Sequence, residues 1–259
     1  MREEPVLAVS ELVRSFRECT ALNGVSFTAH AGKVHGLLGP NGSGKTTCLH
    51  LITGLDTPDH GQATVLGVPV SHKTSRPLIG MAPDDLPLPG SLTGNEYLTF
   101  HHRLRQRDDT ATAARLADAF NLSNALNRTI AEYSHGMKRK LQVIAAVMHK
   151  PSLLVLDEPF RGLDPDAAAV LRELITTFTQ AGGAVLVATH DMLRAERDCD
   201  HVTLLHEGDT VAQGNPATLL EQHQAVHLEE LFLSVTGLAS QREVHMAELS
   251  DAFSQEMAT

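Results

Sequence analysis

Long apolar runs are missing from this 259-residue chain. The longest, Val143–Met148, falls far short of the about 20 residues a membrane-spanning helix needs, so the chain is not expected to cross a bilayer by itself. Cysteine is scarce: Cys19, Cys48 and Cys199 are odd in number and widely spaced, which argues against a disulfide framework and fits a reducing compartment. Basic residues are in deficit, 21 Lys and Arg against 31 Asp and Glu, for a net charge of −10. A surface of that sign binds polyanions poorly, so nucleic acid is not an expected partner. The N-terminus, MREEPVLAVS, carries acids where a secretory signal needs a basic region and an apolar stretch. No internal repeat is visible. What is present is 42% hydrophobic residues, enough for a real core in one large domain or two small ones.

The first quarter reads as β-rich. Val6–Val13, Val25–Thr28 and Val34–Leu38 are short apolar or alternating segments punctuated by glycines. Four prolines (Pro77, Pro83, Pro87, Pro89) break residues 73–92, where no regular element is expected. A helical section follows. Thr93–Glu96 has the capping-box spacing, and a second helix is expected over Thr110–Phe120. Leu153–Leu156 and Ala184–Ala188 are fully apolar strands of the kind buried on both faces of a parallel sheet. Asp164 and Pro165 open a helix as N-cap and first residue, and Glu207–Asp209 reads as a hairpin turn before Thr210–Gln213.

Gly39-Pro40-Asn41-Gly42-Ser43-Gly44-Lys45-Thr46 matches the phosphate-loop pattern between a predicted strand and a predicted helix, Thr47–Thr53. Its glycines let backbone N–H groups turn inward on an anion, the helix N-terminus adds its dipole, Lys45 supplies a cation for the β- and γ-phosphates, and the Thr46 hydroxyl suits Mg2+. Leu153–Leu156 delivers Asp157 and Glu158 to the crevice above a parallel sheet. Asp157 there suits Mg2+, and Glu158 suits the polarisation of an attacking water. Tyr133-Ser134-His135-Gly136-Met137 opens a further helix, read as Met137–Met148, with a hydroxyl and a glycine at its start. That is a second anion site, useful to one chain only if it serves another subunit.

Together these residues resemble the ATP-binding subunit of an ABC transporter, over about residues 6–235. The resemblance implies an α/β fold with a mainly parallel P-loop NTPase sheet, an N-terminal antiparallel β subdomain and a helical signature subdomain at about 93–150. The ATPase domain would span 1–237 and a helical or frayed tail 238–259. The Ser134 and Gly136 pattern is similar to the variant signature of ABC-2-type exporters, although His135 and Met137 depart from the common form. The resemblance also implies an adenine-stacking role for Phe16, with a core phenylalanine as the alternative. Asp164 falls in the loop that crosses the dimer interface. His190 is implied as a switch histidine whose neutral imidazole bonds the γ-phosphate and the Glu158 region.

One departure stands out: Asp84 occupies the place of a glutamine that senses Mg2+ and touches the membrane subunit. A carboxylate takes the metal more strongly but with a shorter reach, and a solvated Asp84–Asp85 loop tip is the alternative. The expected ligands are ATP and Mg2+. The expected partners are a separate transmembrane permease and a second ATPase subunit, at the cytoplasmic face of the membrane. A soluble ABC ATPase of the ribosome or chromosome, and a phosphate-loop kinase, are the competing readings. The first lacks its second cassette or long coiled-coil insertion, and the second leaves Tyr133–Met137 and His190 without a use.

Overall fold

The computed structural model describes residues 4–17, 19–84 and 87–238, so the expectations for Asp85 and for the tail from residue 239 lie outside the described residues. In chain order the elements are β1 (Leu7–Phe16), β2 (Cys19–Ala29), β3 (Val34–Leu38), α1 (Lys45–Ile52), β4 (His60–Val65), β5 (Val68–Pro69), β6 (Ile79–Ala82), α2 (Gly94–Leu104), α3 (Thr110–Ala119) and α4 (His135–Val147). They continue as β7 (Leu153–Asp157), α5 (Pro165–Gln180), β8 (Ala184–Thr189), α6 (Met192–Asp198), β9 (His201–His206), β10 (Asp209–Gly214), α7 (Pro216–His223) and α8 (Leu228–Val235).

Among the described residues two sheets form. One is antiparallel, ordered β2-β1-β4-β5; the other is ordered β10-β9-β3-β8-β7-β6 and is parallel except for β10. The apolar strands of the second sheet divide their side chains between two cores, because successive residues of a strand point to opposite faces. Leu154, Leu156, Val185 and Val187 pack with α4 and α5, whereas Leu153, Val155, Leu186 and Ala188 pack with α1 and the antiparallel sheet. A third cluster joins α6, α7 and α8 to β9. The parallel strands therefore present their carboxyl ends, and the loops that leave them, at one edge of the molecule.

Two expectations fail here. Residues 73–92 are not free of regular structure: a 3-10 turn spans Lys73–Leu78, and β6 runs parallel to β7 with Ile79 opposite Leu153 and Ala82 opposite Leu156. Pro77 and Pro83 flank β6 and leave its four N–H groups free to pair, so these prolines delimit a strand where they were read as breaking one. The strand read as Val25–Thr28 is the second half of β2, whose first half starts at Cys19 and pairs with β1 around one buried apolar residue, Leu22, while Cys19, Thr20 and Asn23 dilute the apolar signal. The capping box of α2 forms as read, with the Thr93 hydroxyl accepting from Glu96 N and the Glu96 carboxylate accepting from Thr93 N at 2.8 Å.

Candidate functional site

The loop between β3 and α1 wraps the N-terminus of α1. Gly44 precedes the helix at φ 104° and gives it no side-chain cap. The first amides of α1, at Lys45, Thr46 and Thr47, thus have no acceptor within the helix and face the loop's concavity. Close packing dictates the glycines: a Cβ on Gly39 would run into the Leu205 carbonyl and the Ser43 hydroxyl, and one on Gly44 into the Ala21 carbonyl. The Ser43 hydroxyl is buried and without a partner among the described residues. Lys45 folds back, its Nζ donating to the carbonyls of Gly39 at 2.7 Å and Pro40 at 3.0 Å. Burial pushes its ammonium pKa down, with Glu158 and Asp157 opposing. Open amides, an unused hydroxyl and a cation borrowed by loop carbonyls together fit a phosphate chain.

A cleft of about 870 Å3 runs from this loop (Asn41, Gly42, Gly44 to Thr47) to Asp84, Asp157 and Glu158, with Cys19 to Ala21 of β2 and Glu207 of the β9–β10 turn on its wall. Asp157 is the buried last residue of β7, and its pKa is raised by burial first and then by the charges of Asp84 and Glu158. Carboxylates crowded in this way are what a bound cation relieves, so Thr46 and Asp157 fit Mg2+.

Glu158 follows with φ 44°, a left-handed conformation that costs a non-glycine residue about 1–3 kcal/mol. The turn aims its carboxylate at β8. Oε2 accepts from Thr189 Oγ1 at 2.8 Å, and Oε1 accepts from His190 N at 2.9 Å and contacts His190 Nδ1 at 2.6 Å. That last contact requires a proton on Nδ1. Donation to a phosphate from Nε2 would need a second proton, so a neutral imidazole cannot donate to both groups.

The structure gathers the phosphate loop, Asp84, Asp157, Glu158 and, through Glu158, His190. Other expected residues lie apart. Ser134 caps α4, accepting from Met137 N at 3.2 Å, and is exposed, as is His135, while Gly136 is half-buried. Asp164 caps α5, accepting from Ala167 N at 2.8 Å, and meets Lys140 at 3.5 Å. Phe16 is not a core residue: it is 48% exposed at the end of β1, opposite Cys19, with the Arg14 guanidinium 4.9 Å from its ring centre. Asp84 is not a solvated loop tip, because its Oδ2 pairs with Arg161 Nη1 at 2.6 Å.

Sequence reasoning missed Arg161, Thr189 and Arg139. Thr189 was findable as the last residue of an apolar strand beside His190. Arg139 carried no signal, since a charged residue in a helix reads as solvated. It is nonetheless buried, donating from Nη1 to the Pro83 carbonyl and from Nη2 to the Asp157 carbonyl.

Fold and site define a phosphate-loop nucleotide-binding protein of the α/β class. The profile of the ABC transporter family matches residues 22–161. The chain is 36% identical over 230 residues to the Nod factor export ATP-binding protein I of Rhizobium meliloti (strain 1021), covering 86% of this chain and 68% of that protein. It is 35% identical over 224 residues to the Nod factor export ATP-binding protein I of Burkholderia lata, covering 85% and 74%. A solved structure of an ATP-binding subunit of an ABC transporter superposes with a TM-score of 0.83 at 30% identity, over 89% of this chain and 99% of that one. A nucleotide-free ATP-binding cassette shares the fold at TM-score 0.71 and 23% identity. The chain belongs to the ABC transporter family as one of its ATP-binding subunits, and is an ATPase.

Proposed function

We propose that this chain powers an exporter, pairing head to tail with a second ATPase subunit on the cytoplasmic face of the membrane, beneath a separate transmembrane permease. The observation that carries this reading is the division of the phosphate-binding groups. The phosphate loop and its acids line one cleft, whereas Ser134 and Gly136 open a helix N-terminus outside it and toward solvent. In a head-to-tail pair, Ser134 and Gly136 of one chain would close the cleft of the other. The curated relatives at 36% and 35% identity are export ATP-binding proteins, which supports export as the direction.

Within the cleft, the amides of Gly42 and of Gly44 to Thr47 would hold the phosphate oxygens, and Lys45 would leave the Gly39 and Pro40 carbonyls for the β- and γ-phosphates. Phe16 would stack on the base. Mg2+ held by Thr46 and Asp157 would neutralise the charge of the transferred phosphate. Glu158, oriented by Thr189 and His190, takes the proton of the attacking water. His190 would keep Nδ1 on Glu158 while Nε2 turns toward the γ-phosphate. Asp84, with Oδ2 on Arg161, would reach the metal through Oδ1 or by releasing Arg161.

The test is Glu158→Gln. The amide keeps the phosphate contacts but cannot take a proton, so hydrolysis should fall about 10²–10⁴-fold. ATP should then hold the chain as a dimer in size-exclusion chromatography. A variant that hydrolyses within a few-fold of the parent removes Glu158 as base, and one that stays monomeric with ATP removes the head-to-tail pairing.

A further inference from the structure

Arg139 lies within α4, five residues after Ser134, with only 2% of its surface exposed. Burying a guanidinium is expensive unless it is hydrogen-bonded. Among the described residues its hydrogen-bond partners are two backbone carbonyls, those of Pro83 and Asp157, with the charges of Asp84, Asp157 and Glu158 nearby. Each carbonyl is one residue ahead of an acid of the cleft, Asp84 and Glu158. The two carbonyls sit at the carboxyl ends of adjacent parallel strands, whose paired register runs out at Ala82 opposite Leu156. Pro83 has no N–H with which to extend the ladder. The planar fork of Arg139 bridges β6 and β7 at the point where their paired register stops.

The same helix meets the acid-bearing segment again. His135, one turn before Arg139, packs against Gly162, where a Cβ would strike its ring. A Cβ on Gly136 would lie 3.0 Å from the Gly162 carbonyl. Lys140, one turn after Gly136, reaches Asp164 at 3.5 Å. Positions four apart share a helix face, so the face of α4 that runs from the exposed signature inward is fastened to residues 157–164.

We propose that Arg139 is a positioning residue for hydrolysis: by clamping Pro83 and Asp157, it makes the orientation of α4 set the placement of Asp157 and Glu158. The clamp stands on contacts within one chain. Its consequence rests on the head-to-tail reading above: the end of α4 that would feel nucleotide in the partner's cleft is tied to the acids of the chain's own cleft.

The experiment uses the full chain with Arg139→Lys and Arg139→Gln. Lysine keeps the charge but offers a point donor in place of a fork, so it cannot span both carbonyls. Thermal unfolding, affinity for a fluorescent ATP analogue, and kcat and KM for ATP are measured for each. Arg139→Lys is expected to fold and to bind nucleotide within about twofold of the parent, while kcat falls about 10- to 100-fold, the scale of a small misplacement of reacting groups. A kcat within twofold of the parent overturns the proposal. So does a rate loss that only follows loss of folded protein or of affinity, or a lysine variant that does not fold, since each assigns Arg139 to stability alone. Arg139→Gln, which loses the charge as well, should lie at or below the lysine variant in kcat, and a glutamine variant that restores the rate also overturns it. Dimer trapping by Glu158→Gln is scored separately. If it fails while Arg139→Lys loses kcat, the pairing falls and the clamp stands.

Discussion

Two helices of this protein begin beside a serine and a glycine, and they begin differently. At α1 the residue before the helix is Gly44, no side chain caps the first turn, and the nearby Ser43 hydroxyl is buried without a partner. At α4 the cap is Ser134 itself, which spends its hydroxyl on Met137 N and faces solvent. The α1 end is surrounded by its reacting groups, Asp157 and Glu158 across the cleft. Among the described residues, the pocket beside the α4 end is lined by Asp84 but by neither Asp157 nor Glu158. One is a socket that keeps its donors open for a ligand; the other satisfies itself until a second surface arrives. Local sequence of similar composition thus makes a complete site or half of one, according to what the sheet brings near.

The comparison breaks most sharply at Lys45. Lys45→Ala should abolish tight ATP binding and turnover, because it removes the cation that the Gly39 and Pro40 carbonyls hold in place; unchanged nucleotide affinity and rate would show that the socket works through its amides alone. Ser134→Ala acts on the other helix. It should lower stability by about 0.5–2 kcal/mol through the lost cap. It should also lower ATPase activity only under conditions where dimers form, which a rate measured against protein concentration reads out. A loss that is equal at all concentrations would make Ser134 a cap and nothing more.

Asp84 sharpens the comparison from the acid side of the socket. Asp84→Ala removes one of the charges crowding Asp157 and frees Arg161 from its 2.6 Å pair. The Mg2+ concentration for half-maximal ATPase should rise about tenfold, with Asp84→Asn in between; superimposable titrations would leave Asp84 as the partner of Arg161 only.

A separate effect concerns acid. His35, in the strand that leads to the α1 loop, has its pKa lowered to about 3, by burial first and then by the charges of His201 and His30. His149, just past α4, is lowered to about 4, by burial first and then by Arg105. Both fall below the unfolded value of about 6.5, so the unfolded chain binds the protons. The stability they contribute is intact above that pH and drains away as pH falls toward 4, by up to about 1.4 kcal/mol per pH unit for each. Thermal unfolding at pH 7 and pH 4.5 should show the drop, and His149→Gln should flatten it. A slope unchanged in that variant would place the acid sensitivity elsewhere.

Local features were legible where local physics decides. The strand, loop and helix of Gly39–Thr46, the capping box at Thr93, the acid pair after Leu156 and the cap at Asp164 all depend on neighbours in sequence. β6 was hidden because proline was read as a breaker, when its effect depends on whether the missing N–H falls inside the ladder or beyond it. The first half of β2 was hidden because Leu22 is its one buried apolar side chain, too little to mark a strand without the pairing with β1. Arg139 and the Asp84–Arg161 pair, whose partners are 77 positions apart, exist only once the sheet has brought distant loops together.

β6 is also the last strand of its sheet, with Pro77 before it, Pro83 after it and α4 laid along it so closely that only Gly80 fits beneath the Ala146 carbonyl. An open border of this kind is where foreign strands add on and where aggregates start. Here it is four residues long, with a proline near each end, and α4 covers one face of the strand. Its shortness and the flanking prolines oppose growth of the sheet across that border. Copies of the chain crowded together on this side would more readily meet through their loops and helix ends than by extending one another's strands.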